Sequence, residues 1–434
     1  MQMQPKDKKN MADNAYKPGK ECIKCGSCMT VCPVFQNTHM EADVARGRLA
    51  VLKQVEKDEK LARSAIMRDV LTRCLLCGAC ENVCANKVPA PSRVIQGREI
   101  ARKRFNLPKQ VQLAALMDQG LKGGLLRTGG KLAQGLLGGK IDKSSGLYLR
   151  FPASFFTGRK VIPAFTSPSW LEQKKGADFS GPGLRIGFFV GCGTDHLFQQ
   201  NAQALERLGK EAGLNIITVP GQGCCGLPAY AGGDRETAIA CAKRNLDAFS
   251  ALDLDAVATV CASCGSQIQN LPQLFEDDPE YLAKAEIMAA MHQDAAQILL
   301  DAPGFQDLLK QINAAAHDET PRVYYHTPCH LRFGKGASSA PLDLLKSLDQ
   351  RIDLIPPGGL TQCCGHGGGF NIDHHDLSLK IHQSGLGPIL EQSPEKIVTG
   401  CTGCLMQFME GVFTAKRPHV EICHPLVLVD TLLK

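Results

Sequence analysis

CIKCGSCMTVC, from Cys22 to Cys32, and CLLCGACENVC, from Cys74 to Cys84, are one pattern written twice: cysteines at successive intervals of three, three and four residues. Pro33 follows the first run. Ala85 follows the second, with prolines delayed to Pro89 and Pro91. Outward from these runs, the 20 cysteines of the 434-residue chain fall into three groups. Eight lie between Cys22 and Cys84, six between Cys192 and Cys264, and six between Cys329 and Cys423, with none from Ala85 to Gly191. The opening MQMQPKDKKNMADNAYKPGK has no apolar signal-peptide core. The chain is therefore expected in a reducing, cytoplasmic compartment, with its thiols serving as metal ligands or redox groups rather than disulfides.

The spacing C-x2-C-x2-C-x3-C-P is that of bacterial two-cluster ferredoxins, in which the fourth cysteine of each run ligates the other cluster. Three cysteines two residues apart can wrap one loop round a cubane, while the fourth starts the next helix and points to the twin. This reading assigns Cys22, Cys25, Cys28 and Cys84 to one [4Fe–4S] cluster, and Cys74, Cys77, Cys80 and Cys32 to a second. Gly26 and Gly78 fit the tight turns inside the loops. A structural zinc site is the competing reading. Zinc asks for two pairs of thiolates and gives no reason for a triple run with a trailing cysteine, twice.

The later cysteines are also duplicated. Cys192, the Cys224-Cys225-Gly226 triplet and CASC from Cys261 recur as Cys329, Cys363-Cys364-Gly365 and CTGC from Cys401, at a constant offset of 137 to 140 residues. Short apolar runs end at the cysteines: LRIGFFVGC, DAVATVC, RVYYHTPC and KIVTGC. Separated by helical patterns such as AQALERLGKEAG and TAIACAKRNLDAFSAL, they read as buried strands of an α/β sheet, with the cysteines at their carboxyl ends. The expected fold is an α+β / α/β multidomain chain. A helical, ferredoxin-like domain binding two [4Fe–4S] clusters (1–105) leads into a connector (106–182), then two duplicated α/β modules (183–315 and 316–434).

The pattern C-x31-CC-x35-C-x2-C, repeated as C-x33-CC-x36-C-x2-C, resembles the cysteine-rich CCG domains of heterodisulfide reductase catalytic subunits. It is equally similar to the iron–sulfur subunits of glycolate oxidase and related D-lactate dehydrogenases. ARGRLAVLKQ after the first run, and RCLLCGACENVC followed by GREIARKR, look particularly like the glycolate oxidase subunit. The resemblance implies an oxidoreductase component that takes electrons from a separate FAD-linked oxidase subunit and passes them toward quinone, a membrane cytochrome or another carrier. In heterodisulfide reductases a complete five-cysteine set holds a noncubane [4Fe–4S] cluster, and both sets are complete here: Cys192, Cys224, Cys225, Cys261 and Cys264, then Cys329, Cys363, Cys364, Cys401 and Cys404. That completeness points to one or two noncubane clusters and to an alternative function, in which a CCG centre itself cleaves a disulfide. Zinc or free dithiols in these modules stay open as a further reading.

Other residues carry weaker signals. Cys241 has no cysteine counterpart at Ile381 and reads as a buried structural thiol. Cys423 stands beside His424, and His330, His366, His374 and His375 flank the second set, where they either tune a centre through hydrogen bonds or simply pack. Arg46, Gly47 and Arg48 offer an acidic partner a docking point, or pack near the clusters. The stretch from Val111 to Lys140 mixes Leu with Lys and Gly and is a candidate for peripheral contact with the cytoplasmic face of a membrane. No apolar run approaches the length of a spanning helix. A net charge of +6 without a clustered basic stripe argues against nucleic acid. With no G-x-G-x-x-G or Walker-type loop, no nucleotide cradle is legible and no catalytic residue is assigned.

Overall fold

The computed structural model describes residues 21–57, 61, 64–105, 147–149, 161–174, 176, 183–315, 319–356 and 363–433. The candidate membrane-contacting stretch 111–140 lies outside the described residues, as does most of the connector. Residues 21–105 form helices joined by tight turns, with no strand among the described residues. The duplication there is conformational as well as sequential. Gly26 (φ 87°) and Gly78 (φ 82°) occupy matching left-handed positions that start the short helices Ser27–Met29 and Ala79–Asn82. A side chain at this φ would be strained, so the turn inside each run requires glycine. Cys32 caps the helix Pro33–Thr38, whose first residue is the proline of the motif, placed where a missing N–H costs nothing. Ala45–Lys57, Ala65–Thr72 and Ala90–Phe105 close round a small core of Leu52, Val55, Met67, Leu71 and Val94.

The described part of the connector contributes an antiparallel pair, β1 (Leu147–Leu149) and β2 (Val161–Pro163), and a helical turn, Trp170–Gln173. A capping box between Ser169 and Glu172 starts that turn. Trp170 is buried and its indole N–H donates to Thr218 Oγ1 at 3.0 Å, docking the turn onto the next domain.

The remainder is two copies of one parallel sheet. In the first, β3 (Arg185–Phe189), β4 (Asn215–Thr218), β5 (Ala256–Thr259) and β6 (His292–Asp294) pair in the order β4-β3-β5-β6. In the second, β7 (Arg322–Tyr325), β8 (Asp353–Leu354), β9 (Lys396–Val398) and β10 (Glu421–Cys423) pair as β8-β7-β9-β10, the same order. β3, β5, β7 and β9 are the four apolar runs that end at cysteines. They read as continuous Val, Ile and aromatic stretches because both faces of a parallel sheet are covered. The two modules share one core: Phe188, Leu205 and Leu208 of the first meet Tyr325, Leu345, Leu426 and Val429 of the second. Leu205 and Leu208 are fully buried, each contributing about 2 kcal/mol. Arg207 pairs with Asp430 across the same seam. Among the described residues, no helix is long and apolar enough to cross a membrane.

Candidate functional site

None of the 20 cysteines is paired in a disulfide. The N-terminal eight converge as two groups. A cavity is lined by Cys32, Cys74, Cys77 and Cys80, with Val34, Leu75, Ala79, Val94 and Arg48 completing its wall. The fourth cysteine of the first run thus joins the three leading cysteines of the second. Cys22, Cys28, Cys80 and Cys84 pack against a second apolar cluster of Ala45, Leu49, Val88 and Ala90, and the thiol of Cys28 feels the charges of Cys22 and Cys25. The two groups differ in exposure. Cys25 is exposed, and a hydrogen bond with Ser27 holds its thiol below the ordinary range. Burial pushes Cys77 up to about 12 and Cys80 higher still. Four sulfurs lining a partly enclosed, mostly apolar space are unfavourable as thiolates without a cation and well suited to an iron–sulfur cubane.

The two five-cysteine sets form at the carboxyl ends of the strands; Cys192, Cys329 and Cys363 are half-buried and the other seven are buried. Cys192 follows β3 and Cys261 follows β5; Cys224 and Cys225 arrive on the loop after β4, before Gly226, and Cys264 sits one turn into the helix Ala262–Asn270. Cys192 faces Cys224, Cys225 and Cys261, and Cys264 lies against Cys225 and Cys261, so that each of these neighbours acts on the thiol it meets. A Cβ at Gly191 (φ 70°) would lie 2.7 Å from the sulfur of Cys264, so glycine lets the backbone pass the set. In the second module the Cys364 and Cys404 sulfurs are 3.2 Å apart, the Gly365 N–H donates to the sulfur of Cys363 at 3.4 Å, and Cys329 feels the charges of Cys364 and Cys401.

The sets touch each other. Cys261 Sγ lies 3.4 Å from Thr402 Oγ1, and Ser263 Oγ lies 3.2 Å from the sulfur of Cys401. The backbone N–H of Ala262 donates to Gly400 O at 2.8 Å, so the two CxxC segments meet head to head. Hydrogen bonds from Cys264 and Cys401 hold the Cys261 thiol far below its ordinary value, and those from Cys363 and Cys404 do the same for Cys364, while bonding to Cys261 pushes Cys401 up to about 12. Burial and mutual crowding disfavour several of these thiolates at once, and a bound cation would favour them. The second set also approaches the N-terminal region. Cys32, Cys77 and Cys363 pack on one apolar plug, Val34, Leu75, Phe370 and Ile381, and the charge of Cys77 acts on both Cys329 and Cys363.

Two segments match family models for the cysteine-rich CCG domain, 186–269 and 323–409, and residues 19–88 match the 4Fe-4S dicluster domain. The probable glycolate oxidase iron-sulfur subunit of Bacillus subtilis is 30% identical over 410 residues, covering 90% of this chain and 88% of that protein. The chain belongs to the family of glycolate oxidase iron–sulfur subunits. Lactate utilization protein A of Geobacillus kaustophilus is also 30% identical, over 56% of this chain and 96% of its own length. A fumarate reductase (CoM/CoB) subunit of Methanothermobacter marburgensis is 24% identical over 94% of this chain and 71% of its own. The member described here is an oxidoreductase subunit, and the stretches that most resemble the glycolate oxidase subunit prove to be scaffolding. Arg48 is buried, donating to Val70 O and Arg73 O beside Asp43, so it is unavailable for docking. Arg46, paired with Glu41, keeps some exposure. Arg98 donates to Leu71 O, Cys74 O and Ala231 O, tying the second cysteine run to the first CCG module.

Of the flanking histidines, His330 bonds Ser263 Oγ at 2.9 Å, His374 bonds Thr72 Oγ1 at 2.9 Å, His375 lies 3.6 Å from Glu410, and His366 Nδ1 accepts from the Gly368 N–H. Cys241 is buried on its helix, and Cys423, beside His424, is buried at the end of β10. The histidine that reaches sulfur was not singled out from sequence: His326, whose ring nitrogen lies within 4.8 Å of the sulfurs of Cys364 and Cys404. Aligning the two repeats would have exposed it, because Phe189 occupies the same place, three residues before the first cysteine, in the first copy.

Proposed function

We propose that this chain is the electron-transfer subunit of a flavin-linked 2-hydroxyacid dehydrogenase acting on glycolate or D-lactate. The carrying observation is the adjacency of its cysteine sets: exposed Cys25 belongs to the run of Cys28, which shares an apolar cluster with Cys80; Cys77 and Cys363 pack on one plug; and Ser263 and Thr402 join Cys401 to Cys261. On this reading Cys22, Cys25, Cys28 and Cys84 hold one cubane [4Fe–4S] cluster, Cys32, Cys74, Cys77 and Cys80 hold another, and the two five-cysteine sets hold metal, one or both as noncubane clusters. Bound clusters supply one-electron steps between a two-electron flavin and a quinone, membrane cytochrome or other carrier. The protein's part is placement. It leaves one set at the surface for the FAD-linked subunit to meet, buries the others against low-dielectric walls, and fixes their separation through the apolar plug.

The relatives supply the substrate class: glycolate oxidase for one, lactate utilization for another. The test is an anaerobic mixture of the purified chain with its FAD-containing partner. Glycolate or D-lactate should bleach the visible absorbance of the clusters, and should leave it unchanged without the partner. No bleaching with either acid overturns the reading. A second reading, as a catalytic subunit like that of heterodisulfide reductase, is favoured by a specific observation. Both five-cysteine sets are complete and in mutual contact, and a fumarate reductase (CoM/CoB) subunit is similar over nearly the whole chain. Reoxidation of the reduced protein by an added disulfide, faster than by a quinone analogue, would promote it.

A further inference from the structure

The two CCG sets match in cysteines but not in their surroundings. At the end of β7 the backbone N–H of His326 donates to Val398 O at 2.9 Å, which fixes the residue over the sulfurs of the second set. Its side chain is buried, with a ring nitrogen, the Cys364 sulfur and the Cys404 sulfur all within 4.8 Å of one another. Tetrahedral zinc or iron with bonds of about 2.0–2.3 Å to nitrogen and sulfur holds its donors at separations of this order. The ring is also held in place. It meets Phe408 edge-on at 4.9 Å and 62°, and His382 packs on Phe408 at 5.0 Å and 77° while its own Nδ1 bonds Cys364 O at 2.9 Å. In the first module the equivalent Phe189 instead stacks on Phe249 at 5.7 Å inside the apolar core.

We propose that His326 is a metal ligand, so that the second CCG module holds a mixed histidine–cysteine centre for iron or zinc while the first holds an all-cysteine one. This rests on the reading of the five-cysteine sets as metal sites. An imidazole is neutral where a thiolate is negative, so an iron–sulfur centre in which His326 takes the place of one of the five thiolates has the higher potential. If the metal is iron, the centre beside Cys77 is then the better electron acceptor of the two; if zinc, the second module is structural and the first carries the redox chemistry.

The test uses the full chain, purified anaerobically with 15N-labelled histidine. Metal content, X-ray absorption at the iron and zinc edges, and pulsed EPR are measured for wild type, His326→Cys and His326→Ala. Wild type should show nitrogen in a metal's first coordination sphere, or a 15N coupling if the centre is paramagnetic. His326→Cys should keep its metal and lose that signature, and His326→Ala should lose metal from this module while the other centres stay loaded. An unchanged nitrogen signature in His326→Cys, or full metal and unaltered spectra in His326→Ala, overturns the assignment. Wild type holding only about eight irons, the content of two cubanes, and no zinc removes the assignment together with the reading beneath it. That outcome is distinct from metal bound without nitrogen, which removes the assignment alone.

Discussion

Arg98 is the side chain through which the second cysteine run is both built and charged. Burial lowers its guanidinium only to about 10, so it remains a cation at neutral pH, donating to the carbonyls of Leu71, Cys74 and Ala231. A fixed positive charge beside the cavity of Cys32, Cys74, Cys77 and Cys80 favours the more negative, reduced state of a cluster held there. Arg98→Met should lower the potential of one cubane couple and leave the other in place, read by redox titration. It should also cost about 2–3 kcal/mol, because carbonyls that received charge-assisted hydrogen bonds lose them. Asp294, at the end of β6, gives a pH signature. Burial raises its carboxyl from 3.8 to about 7, so the folded state holds the proton more tightly than the unfolded one. Its contribution to stability is full below about pH 4 and is lost as pH rises through about 7. Asp294→Asn keeps the acceptor that caps Ala296 and should therefore remove this decline, leaving the variant with the higher thermal midpoint above pH 7. Parallel midpoint-versus-pH curves for the two proteins would refute the titration.

Elements were legible in proportion to their periodicity. β3, β5, β7 and β9 announce themselves as apolar runs that end at cysteines, and the helices Gln199–Glu211 and Arg235–Ser250 as amphipathic stretches between them. β6 and β8 do not, since HQD and DL are too short and too polar to signal a strand; each is an edge strand fixed by the ladder beside it. The nearness of Cys32 to Cys74, Cys77 and Cys80 agrees with the two-cluster ferredoxin pattern, in which the fourth cysteine of each run turns to the other cluster. The nearness of His326 to Cys364 and Cys404 was not, because it depends on β7 pairing with β9 and on where two loops return. The same helix that was readable as amphipathic places Cys241 inside the module, on a face that packs toward the Gly226 turn. Cys241→Ala should leave iron content unchanged and lower stability by about 1 kcal/mol, the cost of a small cavity. Iron loss in that variant would make Cys241 a ligand after all.

At the scale of the molecule, function rests on how the helical N-terminal region is clamped to the paired modules. Arg102 reaches Asp234 at 2.6 Å, Lys380 donates to Asn37 O at 3.1 Å, and Thr72 meets His374, all around the apolar plug of Val34, Leu75, Phe370 and Ile381. None of this docking could be read from the sequence, since it joins residues some 130 to 340 positions apart. It brings Cys77 and Cys363 onto one apolar plug, the junction that the proposed route requires. The direct test of that route is hydroxyacid-driven reduction of a quinone analogue by the complete complex, comparing wild type with Cys77→Ser. If electrons travel as described, the variant should lose one cubane, still accept electrons at the exposed Cys25 set, and turn over at least about ten-fold more slowly, a barrier of roughly 1.4 kcal/mol or more. Turnover at the wild-type rate, in a variant shown by EPR to lack that cubane, would contradict the account.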